Sequence, residues 1–282
     1  ADAIGFIIPS ARPRFMDPYY SEFIAGLGDA AVENRLDLLV SSNAAGDASE
    51  LKQYGTWIKS RKVDGFVLNR VWLQDQRVRY LHQQGIPFAA LEYTKDGIDY
   101  PRVEIQCNQS YRKLIVHLME KGFRRIAYIG GPEGLKINYD RSIAIKEALI
   151  ANGLVYDPGL VTTGDLTSLG GYQSAKRLIS MPDPPNAILC VNDETAFGAL
   201  HAVHEAGLVI GKNVAIAGFD GVQDAAYSEP PLTTLDQPVY QIARTLVQML
   251  AQVISGKTLK EHIVVIEPNL LIRQSTNGTV ES

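Results

Sequence analysis

At 282 residues the chain has the length of about two domains, and its 46% hydrophobic and 21% charged shares are those of an ordinary globular protein. No apolar run approaches the roughly 20 residues of a membrane span. The net charge of −4 argues against this chain itself gripping a polyanion. The first residues, ADAIGFIIPS, lack the basic start of a signal peptide. Cys107 and Cys190 read as buried free thiols of a reducing, cytoplasmic setting.

Short apolar runs alternate with longer segments of helical periodicity along the whole chain. The spacing predicts a strand at 3–9, a helix at 18–34, a strand at 36–41, a helix at 48–60, a strand at 64–69 and a helix at 75–83. Strands at 87–91 and 102–105 follow, then a helix at 110–121, a strand at 125–129, a helix at 139–151 and a strand at 160–163. The remaining elements are a helix at 171–180, a strand at 187–191, a helix at 194–206, a strand at 214–219, a helix at 239–254 and a strand at 263–267. Strict alternation implies an α/β protein with doubly wound parallel sheets, helices on both faces and right-handed crossovers. There are too many elements for one sheet of this type, so two are expected. The polar run after Gln274, STNGTVES, reads as a frayed tail.

In such sheets ligands bind outside the carboxyl ends of the strands. Those ends carry Ser10, then Phe15, Tyr19 and Tyr20 after the first strand; Asn69-Arg70 after the third; and Glu92 after the strand at 87–91. Further along come Arg141, Asn192-Asp193, Asp220 at the end of VAIAGFD, and Gln237 before a proline. No strand end shows G-x-G-x-x-G or G-x-x-x-x-G-K-[ST], so no nucleotide or other cofactor is expected. Planar polar groups arrive instead, together with aromatics. Carboxylates accept from vicinal hydroxyls, arginine and amides donate to the same oxygens, and tyrosine rings offer flat apolar faces. That set suits a sugar or a similar polyhydroxylated small molecule, with Asp220 placed to hold hydroxyls.

Structural readings stand beside these. Asp193 is either an N-cap or a ligand group, with Asn192 the better ligand candidate. One of Tyr19 and Tyr20 is expected in the core and the other at the site. Arg141 reads equally as a surface helix residue, and Arg70 could pair with Glu92. Arg70 and Arg141 together would also suit a phosphate or carboxylate. G-x-S-x-G is absent, and His201 and His204 have no third ligand in view, so neither catalysis nor a metal is expected.

Four segments in order, IGFIIPS…DPYYSEFIAGLGDAA, KGFRRIAYIGGP, AILCVNDETAFGAL and AIAGFDGVQ…PPLTTLDQP, resemble the effector-binding core of lac repressor and galactose repressor type transcription regulators. The resemblance runs from Ile4 to about Arg273. It implies a periplasmic binding protein-like type I fold: two doubly wound parallel-sheet subdomains joined by three crossover strands near 103–107, 235–238 and 265–268, with the effector in the cleft between them. The corresponding subdomains are 1–104 with 238–265, and 105–237 with 266–276, leaving 277–282 as a disordered tail. By motif, the family's aromatic pair falls on Tyr19 and Tyr20, its cleft arginine on Arg141, its strand-end asparagine on Asn192 and its turn aspartate on Asp220. Its glutamine falls on Gln237 and its acidic residue after the fourth strand on Glu92. Ser10, Phe15 and Arg70 join these by position alone.

Departures are visible as well. The family's R-x-x-G-F reads Arg141-Ser142-Ile143-Ala144-Ile145, its D-N after the first crossover reads Cys107-Asn108, and Leu166 stands where many relatives carry an aromatic. The resemblance further implies a cytoplasmic homodimer that reaches operator DNA through a helix-turn-helix headpiece absent from this chain, with no membrane partner. The rival reading is an extracytoplasmic sugar-binding protein of a transport system, which shares the fold.

Overall fold

The computed structural model describes residues 1–9, 17–43 and 46–278. The first sheet is built from β1 (Ala3–Pro9), β2 (Asp37–Asn43), β3 (Gly65–Leu68), β4 (Phe88–Leu91), β5 (Arg102–Ile105) and, from late in the chain, β11 (Ile263–Ile266). Their order is β11-β5-β4-β3-β1-β2, and every pairing is parallel. The second sheet contains β6 (Ile126–Gly130), β7 (Val161–Thr163), β8 (Ala187–Cys190), β9 (Ala215–Asp220), β10 (Thr233–Asp236) and β12 (Asn269–Leu271). Its order is β12-β10-β9-β8-β6-β7. Here β12 runs antiparallel to β10 while the other pairings are parallel.

Burial explains why these runs are strands. Ile4, Phe6, Ile7 and Ile8 of β1 are all at most 1% exposed, so both faces of the strand are covered, as parallel sheets require. The covering helices are α1 (Pro18–Glu33), α2 (Gly46–Lys59), α3 (Gln76–Gln83), α4 (Asn108–Glu120), α5 (Lys136–Ala151), α6 (Ser168–Ile179), α7 (Asp193–Glu205) and α8 (Val239–Ile254). Helix α1 starts at an Asp17 cap with Pro18 following it, the preferred entry chemistry. Helix α8 buries Val239, Ile242, Ala243, Leu246, Val247 and Leu250 along one stripe. Helices α6 and α7 approach closely because a Cβ at Gly171 would overlap Thr195 O and one at Gly198 would overlap Ser168 O.

Two compact units result: Ala1–Ile105 with Gly134–Ile137 and Val239–Ile266, and Gln106–Glu133 with Asn138–Pro238 and Glu267–Ser282. Residues 134–137 thus depart from the expected division. Trp72 bridges Leu135 through the backbone, and Lys136 N–H donates to Val71 O at 3.0 Å, which ties the first turn of α5 to the first unit.

The run after Gln274 does not fray where it was expected to. Gln274–Thr276 is a single 3-10 turn, and Ser275 and Thr276 are fully buried. Ser275 Oγ accepts from Thr233 N–H at 2.8 Å and donates to Ile216 O at 2.6 Å. The hydroxyls of Thr233 and Thr276 lie 2.7 Å apart, and His117 Nε2 lies 2.9 Å from the Thr276 hydroxyl. Polar residues that saturate one another this way belong in a core as securely as apolar ones.

Candidate functional site

In both sheets the strand order reverses beside the first strand of the unit, between β1 and β3 and between β6 and β8. Doubly wound sheets bind ligands at that reversal, and each unit gathers a polar cluster there.

In the first unit the cluster is built on α1 and the end of β3. Asp17 Oδ1 caps α1 through Tyr19 N–H at 3.1 Å, and its Oδ2 faces the Arg70 guanidinium at 3.6 Å. That guanidinium also lies over the Tyr20 ring, 4.8 Å from its centroid. Asn69 donates to the Tyr19 hydroxyl at 3.0 Å, and the two tyrosine rings meet edge to face at 5.5 Å. Both are buried, Tyr20 completely. Glu92, after β4, accepts Ile105 N–H at 3.0 Å and faces the buried Lys136 ammonium at 3.9 Å. Lys136 in turn sits 3.8 Å from the centroid of the Tyr93 ring. The pairing of Arg70 with Glu92 weighed from sequence is therefore not what forms: Arg70 takes Asp17 and Glu92 takes Lys136. Ser10 and Phe15 lie outside the described residues.

In the second unit Arg141, on the second turn of α5, is no surface residue; it is 4% exposed. Its guanidinium donates to Val191 O, lies 3.5 Å from the Phe219 ring centroid and faces Asp220 at 3.8 Å. Burial opposes its charge, but Asp220 next to it holds its pKa above the ordinary value. Asp220 also accepts from Gln237 Nε2 at 2.7 Å. The Gln237 Oε1 is buried with no hydrogen-bond partner, an acceptor waiting for a donor one side chain away from Asp220.

Of the two residues after β8, it is Asn192 and not Asp193 that caps the following helix. Asn192 is the N-cap of α7, accepting Thr195 N–H at 3.0 Å, and its amide also donates to Leu166 O at 3.3 Å. Asp193 is fully buried. It accepts Gly221 N–H at 2.9 Å, Val222 N–H at 3.0 Å and the Thr234 hydroxyl at 2.6 Å. Burial and the nearby Asp220 charge push its carboxyl well above the usual range, against the pull of those three donors. Asp193 is thus a brace for the turn that follows Asp220.

Arg70, Glu92, Leu166 and Asp220 have φ of +51°, +77°, +66° and +120°, values that side chains other than glycine's avoid. Asp220 closes β9, Glu92 directly follows β4, and Arg70 and Leu166 lie two and three residues past the ends of β3 and β7. Backbone strain of this kind gathers at functional sites. Asp17 and Lys136 escaped sequence reasoning, since each is a long-range partner that no local pattern announces; only the cap position before Pro18 pointed to Asp17.

Among the described residues no group of three or more His, Cys, Asp and Glu could hold a metal ion. No helix there is long and apolar enough to cross a membrane. Both cysteines are buried.

Comparison with known proteins agrees with this architecture. The family model of the periplasmic binding protein-like domain matches residues 115–276. The HTH-type transcriptional regulator CelR of Thermobifida fusca is 27% identical over 279 residues, spanning 97% of this chain and 81% of that protein. The solved complex of CelR with cellobiose superposes with a TM-score of 0.89 at 26% identity, covering 98% of this chain and 84% of that one. A LacI-family regulatory protein from Chloroflexus aggregans gives 0.86 at 29% identity, covering 98% and 99%. The chain belongs to the periplasmic binding protein-like domain family, as the effector-binding core of a transcriptional regulator of the lac repressor and galactose repressor type.

Proposed function

We propose that this core senses a neutral sugar through the polar clusters at its strand ends, and that it does so as a homodimer joined to a DNA-reading headpiece. The observation that carries the reading is charge pairing. Arg141 faces Asp220, Arg70 faces Asp17 and Lys136 faces Glu92, so among the described residues these three strand-end cations each have a counter-charge from their own unit. A phosphate or carboxylate would have to compete with those carboxylates for the cations. A neutral polyol needs only hydrogen bonds, which charged groups make at about 1.5–3 kcal/mol each, and the unpartnered Gln237 Oε1 supplies an acceptor for one hydroxyl. CelR, solved with cellobiose, is a relative whose ligand is a neutral sugar.

Ligand energy can shift the protein between states only by its differential affinity for them. A sugar that prefers one arrangement of the core would thereby change how a dimer presents its headpieces to operator DNA, in the cytoplasm. The test is a thermal-shift screen of neutral and phosphorylated sugars followed by calorimetry on Asp220→Ala. The expected loss for the best ligand is roughly 10- to 150-fold. Unchanged affinity, or a preference for sugar phosphates over their neutral parents, would overturn the reading.

A further inference from the structure

The first unit holds a cavity of about 230 Å³ that the strand-end cluster does not use. Its lining includes Trp72, Leu51, Gln74, Gln76, Glu50 and Arg77. The base is rigid and electrically settled. Arg77 is 3% exposed and donates to Asp75 through Nε at 3.0 Å and Nη2 at 2.7 Å, and to Glu50 at 3.2 Å. Two carboxylates against one guanidinium leave the lining with a surplus of negative charge, which disfavours an anionic guest. Trp72 is half-buried, with its ring close enough to Gly134 that a Cβ there would lie 3.6 Å from Cε3. Gln74 and Gln76 are exposed and offer both amide donors and acceptors.

One lining residue is also bonded to the strand-end cluster. Arg77 Nη2 donates to the carbonyls of Asn69 at 3.3 Å and Arg70 at 3.0 Å, the same two residues that contact Tyr19, Tyr20 and Asp17. An indole wall, two side-chain amides and a base with no cation to spare describe a seat for the C–H face and hydroxyls of a sugar ring. The volume falls below the roughly 300–1,000 Å³ typical of drug-sized ligands, which fits a single ring.

We propose that the Trp72 cavity is a second sugar subsite, so that the effector is an oligosaccharide with one ring at the strand-end cluster and the next against Trp72. This rests on the sugar reading above and narrows its substrate class. The chain has two tryptophans. Trp57 is 8% exposed and packed in the core, so a Trp57→Phe background makes Trp72 the sole reporter of its cavity. The probes are glucose, cellobiose and maltose and their trisaccharides, titrated by fluorescence and calorimetry.

The expected result is that a disaccharide binds more tightly than glucose and perturbs Trp72 emission. Trp72→Ala should weaken the disaccharide about tenfold and leave glucose unchanged, with Gln76→Ala, an exposed change, weakening it in the same selective way. Asp220→Ala should weaken both sugars. If Trp72→Ala and Gln76→Ala alter neither, or alter glucose and disaccharide equally while Asp220→Ala weakens both, the subsite is refuted and the sugar reading stands. If no sugar of the panel binds, both are refuted together.

Discussion

Asp193→Ala removes the one carboxylate shared by two amides of the turn after β9 and the Thr234 hydroxyl of β10. Val222 N–H and the Thr234 hydroxyl are buried and lose their partner. Gly221 N–H keeps a second acceptor, Thr234 Oγ1 at 3.3 Å. A buried donor left unsatisfied costs about 1–3 kcal/mol, so two amount to roughly 2–6 kcal/mol. Alanine also removes the cost of keeping a carboxylate away from water, the effect that raises the Asp193 pKa, and this works in the opposite direction. The expected net destabilisation is about 2–4 kcal/mol, a large part of a typical 5–15 kcal/mol. Asp193→Asn should lose only about 1 kcal/mol: its carbonyl can take both backbone amides while its NH2 donates to the Thr234 oxygen. Urea unfolding followed by circular dichroism reads both, as a lowered midpoint with the slope unchanged. An alanine variant that unfolds at the wild-type midpoint, or an asparagine variant as damaged as alanine, would show that the hydrogen bonds of Asp193 do not brace the turn.

Gly198→Ala should cost about 2–3 kcal/mol, because the new Cβ meets the Ser168 carbonyl and Tyr172 N, both backbone; thermal melting checks it. Burial lowers the His117 pKa below 6.5, so the unfolded chain takes up the proton first. The stabilising share of neutral His117 is complete above 6.5 and declines as pH falls through 6.5 toward the folded value. His117→Gln should flatten that part of the stability profile, and the imidazole shift in a proton NMR titration should report the lowered pKa directly. Glu92→Gln leaves the Lys136 ammonium buried and should cost about 3 kcal/mol, and Lys136→Met added to it should restore most of that loss in the same urea assay.

The two-sheet architecture was legible because parallel strands covered on both faces must be apolar runs, as in AIGFIIP and AILC, and because α8 shows its buried stripe at helical spacing. What stayed illegible has physical reasons. β12 is three residues with no buried position, so it leaves no apolar run to find. α5 begins three residues before the expected start because Lys136 and Asn138 read as polar loop, whereas Lys136 is 1% exposed beneath Tyr93 and Glu92. Asn192 and Asp193 are adjacent and both capable of capping; helix phase selected Asn192, and no composition rule would have told them apart. Of the strand-end residues, the sequence identified positions and chemical type, while the counter-ions Asp17 and Lys136 come from elements far away in the chain.

The left-handed backbone at Arg70, Glu92, Leu166 and Asp220 sets a trap for engineering. Holding a substituted carbon in that conformation costs roughly 1–2 kcal/mol per residue, and glycine would relieve it at each. A campaign that selected only for heat tolerance would therefore be drawn to these four positions, and its hardiest survivors would be the ones whose strand ends had been stripped of Arg70, Glu92 and Asp220.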